Sequence, residues 1–331
     1  MNPLFDVAAI GNAIVDVIAP ADDAFLDREG LAKGAMTLVD EGRATELYAR
    51  MAPGIEASGG SAGNTVAGVA SFGGRSAYIG KVADDTLGGI FAHDIRASGA
   101  HFQTSPLKGG PATARSLINV TPDGQRTMST YLGACVSLTA ADVDPATIEA
   151  AKIVYLEGYL FDPEEARRAF AKAAGLAHGA GRQIALSLSD AFVVERHRHA
   201  LLAFIDTQVD IVFANESEIA ALFETDDIEA AIRSIRGRTA IAAITRGAAG
   251  STVVTADAIH AISADPVAAV VDTTGAGDQY AAGFLYGLAD ERPLDECGRL
   301  GSLAAAEVIG HYGPRPETSL RTLAAARGFR T

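Results

Sequence analysis

Short apolar runs recur along the chain at residues 7–10, 77–79, 153–156, 184–188, 211–213, 241–244 and 268–271. Several are near-continuous rather than alternating, the pattern of strands covered on both faces. Between many of them, at 65–72, 164–177, 217–223 and 279–288, apolar positions recur at helical spacing. Strand and helix in alternation predict an α/β fold: a doubly wound, largely parallel sheet flanked by helices. One region breaks the alternation. Residues 113–120 and 126–132 are β-rich and joined by Thr121, Pro122, Asp123, Gly124 and Gln125, a turn sequence with no helix between. With 14–19 and 35–39 this hairpin is expected to form a small separate β-sheet, standing over the strand ends as a lid that excludes water. No internal repeat or linker is visible, so the chain reads as a single domain over 1–331, with the lid inserted from about 13–40 and 110–133.

The most informative stretch is VVDTTGAGDQYAAGFLYGL at 270–288, which reads as a buried strand, a glycine loop with two aspartates, and a helix. Gly275 and Gly277 let the backbone turn and aim successive N–H groups at the point where the helix presents its positive end, which makes an anion site. Asp278, at the helix start, is ordinarily a simple N-cap or first-turn carboxylate. Beside an anion cradle a carboxylate repels the ligand unless it has a task, such as taking a proton from a hydroxyl that attacks phosphorus. Two other phosphate motifs fail on spacing. There is no GxxxxGK[ST], and GAAGST at 247–252 lacks the P-loop lysine. A dinucleotide fingerprint needs glycine or alanine where Tyr280 stands, and an early βαβ unit.

Composition removes several classes of function. With 27 Lys plus Arg against 41 Asp plus Glu, the net charge of −14 repels nucleic acid and anionic lipid. The 331 residues allow a substantial core. Cys135 and Cys297, far apart, read as free thiols. The N-terminal segment has no basic leader and carries Asp6 and Asp16, so neither a signal peptide nor a membrane span is expected, and a cytoplasmic location follows by default. The seven histidines lack ligand spacing, and HRH at 197–199 reads as a solvated helix face.

Together these residues resemble the ribokinase-like, or phosphofructokinase-B, family of carbohydrate and nucleoside kinases. DTTGAGDQYAAGFL (272–285) is similar to its C-terminal signature and GGSAGNTVAGVASFGG (59–74) to its N-terminal one. GNAIVD (11–16), NESE (215–218) and TRGAAGS (245–251) follow in the expected order. GNAIVD, the hairpin, LSLSDAF (186–192) and NESE are most similar to the adenosine kinase branch. Gly63, and Tyr159 in place of a base-stacking phenylalanine, depart from it.

The resemblance implies an ATP-dependent kinase acting on a primary hydroxyl, foremost the 5′-hydroxyl of adenosine, with another nucleoside or a sugar (ribose, fructose or 2-keto-3-deoxygluconate) as alternative acceptors. A non-catalytic nucleoside sensor is the rival from another class. Asp278 carries over as general base, and the Gly275, Ala276 and Gly277 amides as stabilisers of the charge in flight. Arg126 would offset charge on the transferring group, or else be an exposed edge arginine. Asp16 would accept ribose hydroxyls, with Asn12 and Asn64 adding polar contacts; alternatively Asp16 lies on a lid edge. Gly59 and Gly60 would admit a sugar ring or simply make a turn. Tyr159 and Phe192 would sandwich a purine or belong to the core. Thr245 and Gly247 would bind nucleotide or form a β-turn. Asn215 and Glu218 would organise water-held Mg²⁺ with ATP, although the same pair is a capping box. K⁺ beside Asp272 and Thr274 is a further implication. Asp84 and Asp85 are read as structural. Monomer and homodimer stay open.

Overall fold

A computed structural model describes residues 3–330. The strands are β1 (Phe5–Ile10), β2 (Ile14–Pro20), β3 (Met36–Leu38), β4 (Ile55–Gly59), β5 (Ser76–Ile79), β6 (Ala100–Phe102), β7 (Ala114–Val120), β8 (Arg126–Tyr131), β9 (Ala151–Glu157), β10 (Gln183–Ser187), β11 (Ile211–Asn215), β12 (Ile241–Thr245), β13 (Ser251–Val254) and β14 (Ile259–Ile262). Nine form one sheet in the order β14-β13-β12-β11-β10-β9-β1-β5-β6. From β12 to β6 its neighbours run parallel, while β13 and β14 add an antiparallel edge. The near-continuous apolar runs have the expected cause. Ala8, Ile10, Leu156 and Leu186 enter the core on one face; Val7, Ala9, Tyr155 and Ala185 enter the core on the other.

The second sheet has five strands in the order β3-β8-β7-β2-β4. The hairpin pairs β7 with β8 antiparallel, Ser116 opposite Thr130 and Ile118 opposite Met128. Those four residues face the cavity between the sheets. β4 extends this sheet beyond the segments expected from sequence and runs through Gly59 and Gly60 into the helix Ser61–Ser71.

Residues 268–271 are not a strand. Val270 and Val271 are 59% and 38% exposed, and the Val271 N–H bonds the Ile309 carbonyl just beyond the helix Leu294–Val308, so no strand lies alongside. The histidine stretch also differs from a plain solvated face. His197 leaves helical geometry (φ −120, ψ 15) within Ala191–Gln208, and its ring meets Asp162 at 2.7 Å. Asp85 is structural as read: it caps the helix Thr86–Ala97 by accepting the Gly88 N–H, and it accepts both the N–H and hydroxyl of Thr113. Both cysteines are buried and free. No helix among the described residues is long and apolar enough to cross a membrane.

Candidate active site

The parallel strands end on one side of a cavity of about 590 Å³ whose opposite wall is the small sheet. Asn12 follows β1, Glu157 ends β9, Ser187 ends β10, Asn215 ends β11 and Thr245 ends β12; all line the cavity, the usual place for a ligand on an open α/β sheet.

The helix Ala276–Ala289 points its N-terminus into this space. Gly275 precedes it at φ +78 with no side-chain cap, so first-turn N–H groups are left for a ligand. A Cβ on Gly275 would lie 2.6 Å from the Pro314 backbone, so both conformation and contact call for glycine. Gly275 and Gly277 line the cavity; the Ala276 N–H turns back to the Thr273 carbonyl at 3.2 Å.

Asp278 lies in the first helical turn and lines the cavity. Its Oδ1 accepts the Ser61 hydroxyl at 2.6 Å and its Oδ2 the Asn64 amide at 3.0 Å. Burial raises its pKa against the pull of those two bonds and of Arg315. Asp16, on β2, is pushed by burial up to about 6, with Arg315 and Arg126 pulling it down and Asp278 pushing further up. A Cβ at Gly59 would sit 2.4 Å from the Asp16 carboxyl, so Gly59 serves the site by giving that carboxylate room rather than by lining the cavity. Gly60, Asn12 and Asn64 do line it.

At the nucleotide end, Asn215 and Glu218 form a closed capping box. The Asn215 side chain accepts the Glu218 N–H, and Glu218 accepts the Asn215 N–H at 3.0 Å and its amide at 2.7 Å. Burial pushes Glu218 up to about 7. Both line the cavity, and a carboxylate so engaged keeps lone pairs for water, which fits Mg²⁺ held through its water shell. No group of three or more His, Cys, Asp or Glu among the described residues could hold a metal directly. Thr245 lines the cavity, whereas Gly247 lies in an exposed turn beyond it.

Tyr159 and Phe192 stand at the cavity wall, 37% and 69% exposed, so neither belongs to the core. The small sheet and the segment after it contribute Ile14, Met36, Leu38, Ile118, Met128, Leu132 and Val136 to an apolar wall, in which Asp16 lies two residues from Ile14 on β2.

Arg126 is not an exposed edge arginine, nor does it line the cavity: it is buried, and its Nη1 donates to Asp272 Oδ2. The same oxygen accepts the Gly313 N–H, and Oδ1 accepts the Thr274 N–H and hydroxyl. Four donors occupy a carboxylate with about four acceptor positions. The positive charge beside Asp272 is therefore a guanidinium, and this donor set does not fit K⁺ at Asp272 and Thr274.

Three contributors escaped the sequence reading. Ser61 was hidden inside the GGSAGN motif. Glu157 offered a signal in the carboxylate that ends an otherwise apolar strand. Arg315, between two prolines, donates to Asn64 at 3.3 Å and Asp94 at 3.0 Å and pulls on both Asp16 and Asp278.

The family model for pfkB family carbohydrate kinases matches residues 6–320. Among solved structures, a probable sugar kinase from Rhizobium etli is 50% identical with TM-score 0.92, the match covering 99% of each chain. Adenosine kinase from Sinorhizobium meliloti is 54% identical with TM-score 0.91, covering 98% of this chain and 99% of that one. Among curated proteins, a probable chloroplastic fructokinase from Arabidopsis thaliana is 29% identical over 72% of this chain, the match spanning 64% of that protein's length. Open helix N–H groups stand beside the half-buried Asp278 carboxylate at the strand ends of this fold, and the chain belongs to the pfkB family of carbohydrate kinases.

Proposed function

We propose that this kinase transfers the γ-phosphoryl group of ATP to the 5′-hydroxyl of adenosine, giving AMP and ADP. The observation that carries the reading is that one cavity joins two carboxylates (Asp16, Asp278) to a broad apolar surface on the small sheet. The first suits a ribose and the second a purine, whereas a free sugar has no use for the second. The likeness to the Sinorhizobium adenosine kinase supports it.

In this reading Asp16 accepts ribose hydroxyls and Asn12 and Asn64 add polar contacts. Asp278 takes the 5′-hydroxyl proton as that oxygen bonds to the γ-phosphorus and the bond to the bridging oxygen of ADP breaks. The raised pKa of Asp278 makes it a stronger base than an ordinary carboxylate. The Gly275 loop and the helix N-terminus stabilise charge on the moving group. Asn215 and Glu218 would hold Mg²⁺ through water, and the ion would supply charge neutralisation for the ATP phosphates. Among the described residues lining the cavity, the only Arg or Lys is Arg196, which is paired with Asp162. An already phosphorylated sugar would therefore meet carboxylates, and the acceptor is uncharged.

A sugar acceptor is the second reading, favoured by the 50% identity to the Rhizobium etli probable sugar kinase. The test is ADP release from Mg·ATP with adenosine, guanosine, inosine, ribose, fructose or 2-keto-3-deoxygluconate. Adenosine turned over with the highest kcat/KM is expected. Turnover of free sugars alone overturns the purine assignment, and nucleoside binding without ADP release overturns catalysis.

A further inference from the structure

Glu157 has no task in the transfer just described, yet it is 1% exposed at the cavity floor. Its Oε1 accepts the Asn12 amide at 3.0 Å and the Asn12 backbone N–H at 3.3 Å. Its Oε2 accepts the Ala62 N–H at 2.9 Å. Ala62 is the second residue of the helix Ser61–Ser71, whose N-cap is Gly60, a residue with no side chain to accept that bond. A helix start normally has this acceptor at its own N-cap. Here the carboxylate comes from the end of β9, at the middle of the other sheet. The pocket is shaped for it: a Cβ on Gly11 would lie 2.5 Å from Glu157 Oε2.

The same helix start carries both side chains that hold Asp278. Ser61 is adjacent to Ala62 in the chain, and Asn64 lies one half-turn on. The Asn64 carbonyl is fixed in turn by the Gln279 amide at 3.0 Å. We infer that Glu157 is a positioning residue: by capping this helix from outside and holding Asn12, it sets where Ser61 and Asn64 place the catalytic carboxylate. It acts on Asp278 through the helix rather than on the acceptor.

This inference rests on Asp278 being the base, and a double-mutant cycle separates the two ideas. Glu157→Ala is expected to lower kcat by about 10- to 100-fold, the scale of a small misplacement of a reacting group. Glu157→Gln should recover part of the loss, because its oxygen can still accept the Ala62 N–H and, with the Asn12 amide turned over, its NH₂ can donate to Asn12 Oδ1, while the Asn12 backbone N–H loses its acceptor. In an Asp278→Asn background, Glu157→Ala should cost little more, since the group it positions is gone. Hydrogen exchange at the Ala62 amide reports the cap without any substrate and should quicken in Glu157→Ala while the large sheet keeps its protection. Unchanged kcat with unchanged exchange overturns the inference. So does a raised acceptor KM with intact kcat, which would mark Glu157 as a direct substrate contact. Full additivity with Asp278→Asn overturns it as well. If Asp278→Asn itself turns over like wild type, the base assignment fails instead.

Discussion

Asp278→Asn separates chemistry from architecture at the centre of this site. An asparagine can keep both existing contacts. With its oxygen toward Asn64 it accepts the amide now 3.0 Å away, and its new NH₂ then faces the Ser61 hydroxyl, 2.6 Å away, which can rotate to accept. The opposite amide orientation would set two NH₂ groups against each other, because Asn64 Oδ1 is already engaged by Arg315. The variant should therefore fold and bind acceptor with little change in KM. What it loses is the proton acceptor, and such losses cost about 10²- to 10⁴-fold in turnover, or roughly 2.7–5.4 kcal/mol of barrier at about 1.36 per decade. Burial disfavours the charged Asp278, so the neutral amide should not lower the melting temperature at neutral pH. The assay is coupled ADP release under saturating Mg·ATP, with acceptor varied, alongside thermal denaturation. A folded Asp278→Asn enzyme with turnover within a few-fold of wild type would refute the assignment of the base.

The remaining expectations concern pH, backbone and charge. Asp16 titrates near 6 and must be ionised to accept two hydroxyls, so kcat/KM should fall on the acid side with a limb near that value; a limb at an ordinary carboxylate value would count against its role. Stability should move the other way. Asp16, Glu157 and Glu218 have folded pKa values of about 6, 7 and 7, above those of an unfolded chain, so the folded protein holds the extra protons between pH 4 and 7, roughly, and the melting temperature should decline as pH rises through 6 to 7, approximately. A flat or rising profile across that window would show these carboxylates are not held as described. Gly275→Ala forces a side chain into left-handed geometry against Pro314 and should cost about 2–5 kcal/mol by strain plus overpacking, read by denaturant titration; a cost below about 1 kcal/mol would mean the loop adapts freely. Because Arg126 already neutralises Asp272, exchanging K⁺ for choline should leave turnover unchanged, whereas Arg126→Met strands a buried carboxylate and should destabilise by about 3–5 kcal/mol. Strong activation of the wild type by K⁺ would contradict this.

Much of the large sheet was legible because burial on both faces writes itself as uninterrupted apolar runs, as at 153–156 and 184–188. The hairpin was legible because Pro122, Asp123 and Gly124 leave little but a turn. β4 was not: Ile55 at its start is 70% exposed and Glu56 and three small residues follow, so no apolar alternation marks it. Residues 268–271 misled for the opposite reason, being apolar yet exposed against a helix end. At the site, a motif names residues but not their partners. The pairing of Arg126 with Asp272 spans 146 positions and that of Arg315 with Asn64 spans 251, separations over which local pattern carries no information. Glu157 and Asn12 are likewise joined only by the adjacency of β9 and β1 in the sheet.

The segment between the helices Leu294–Val308 and Leu320–Ala326 is the last part of the site to be made. Within it the Gly313 N–H bonds Asp272, Pro314 packs on Gly275 and receives Gln279, and Arg315 reaches Asn64 and Asp94. During translation, residues 61–64 and 278 can leave the ribosome and pair while the cradle still lacks its back wall. A nascent chain stopped short of Arg315 would hold the acidic cavity without the guanidinium that steadies Asp16 and Asp278. Competence would then arrive in one step, when this segment docks, and truncations that spare every signature motif but remove it should be inert.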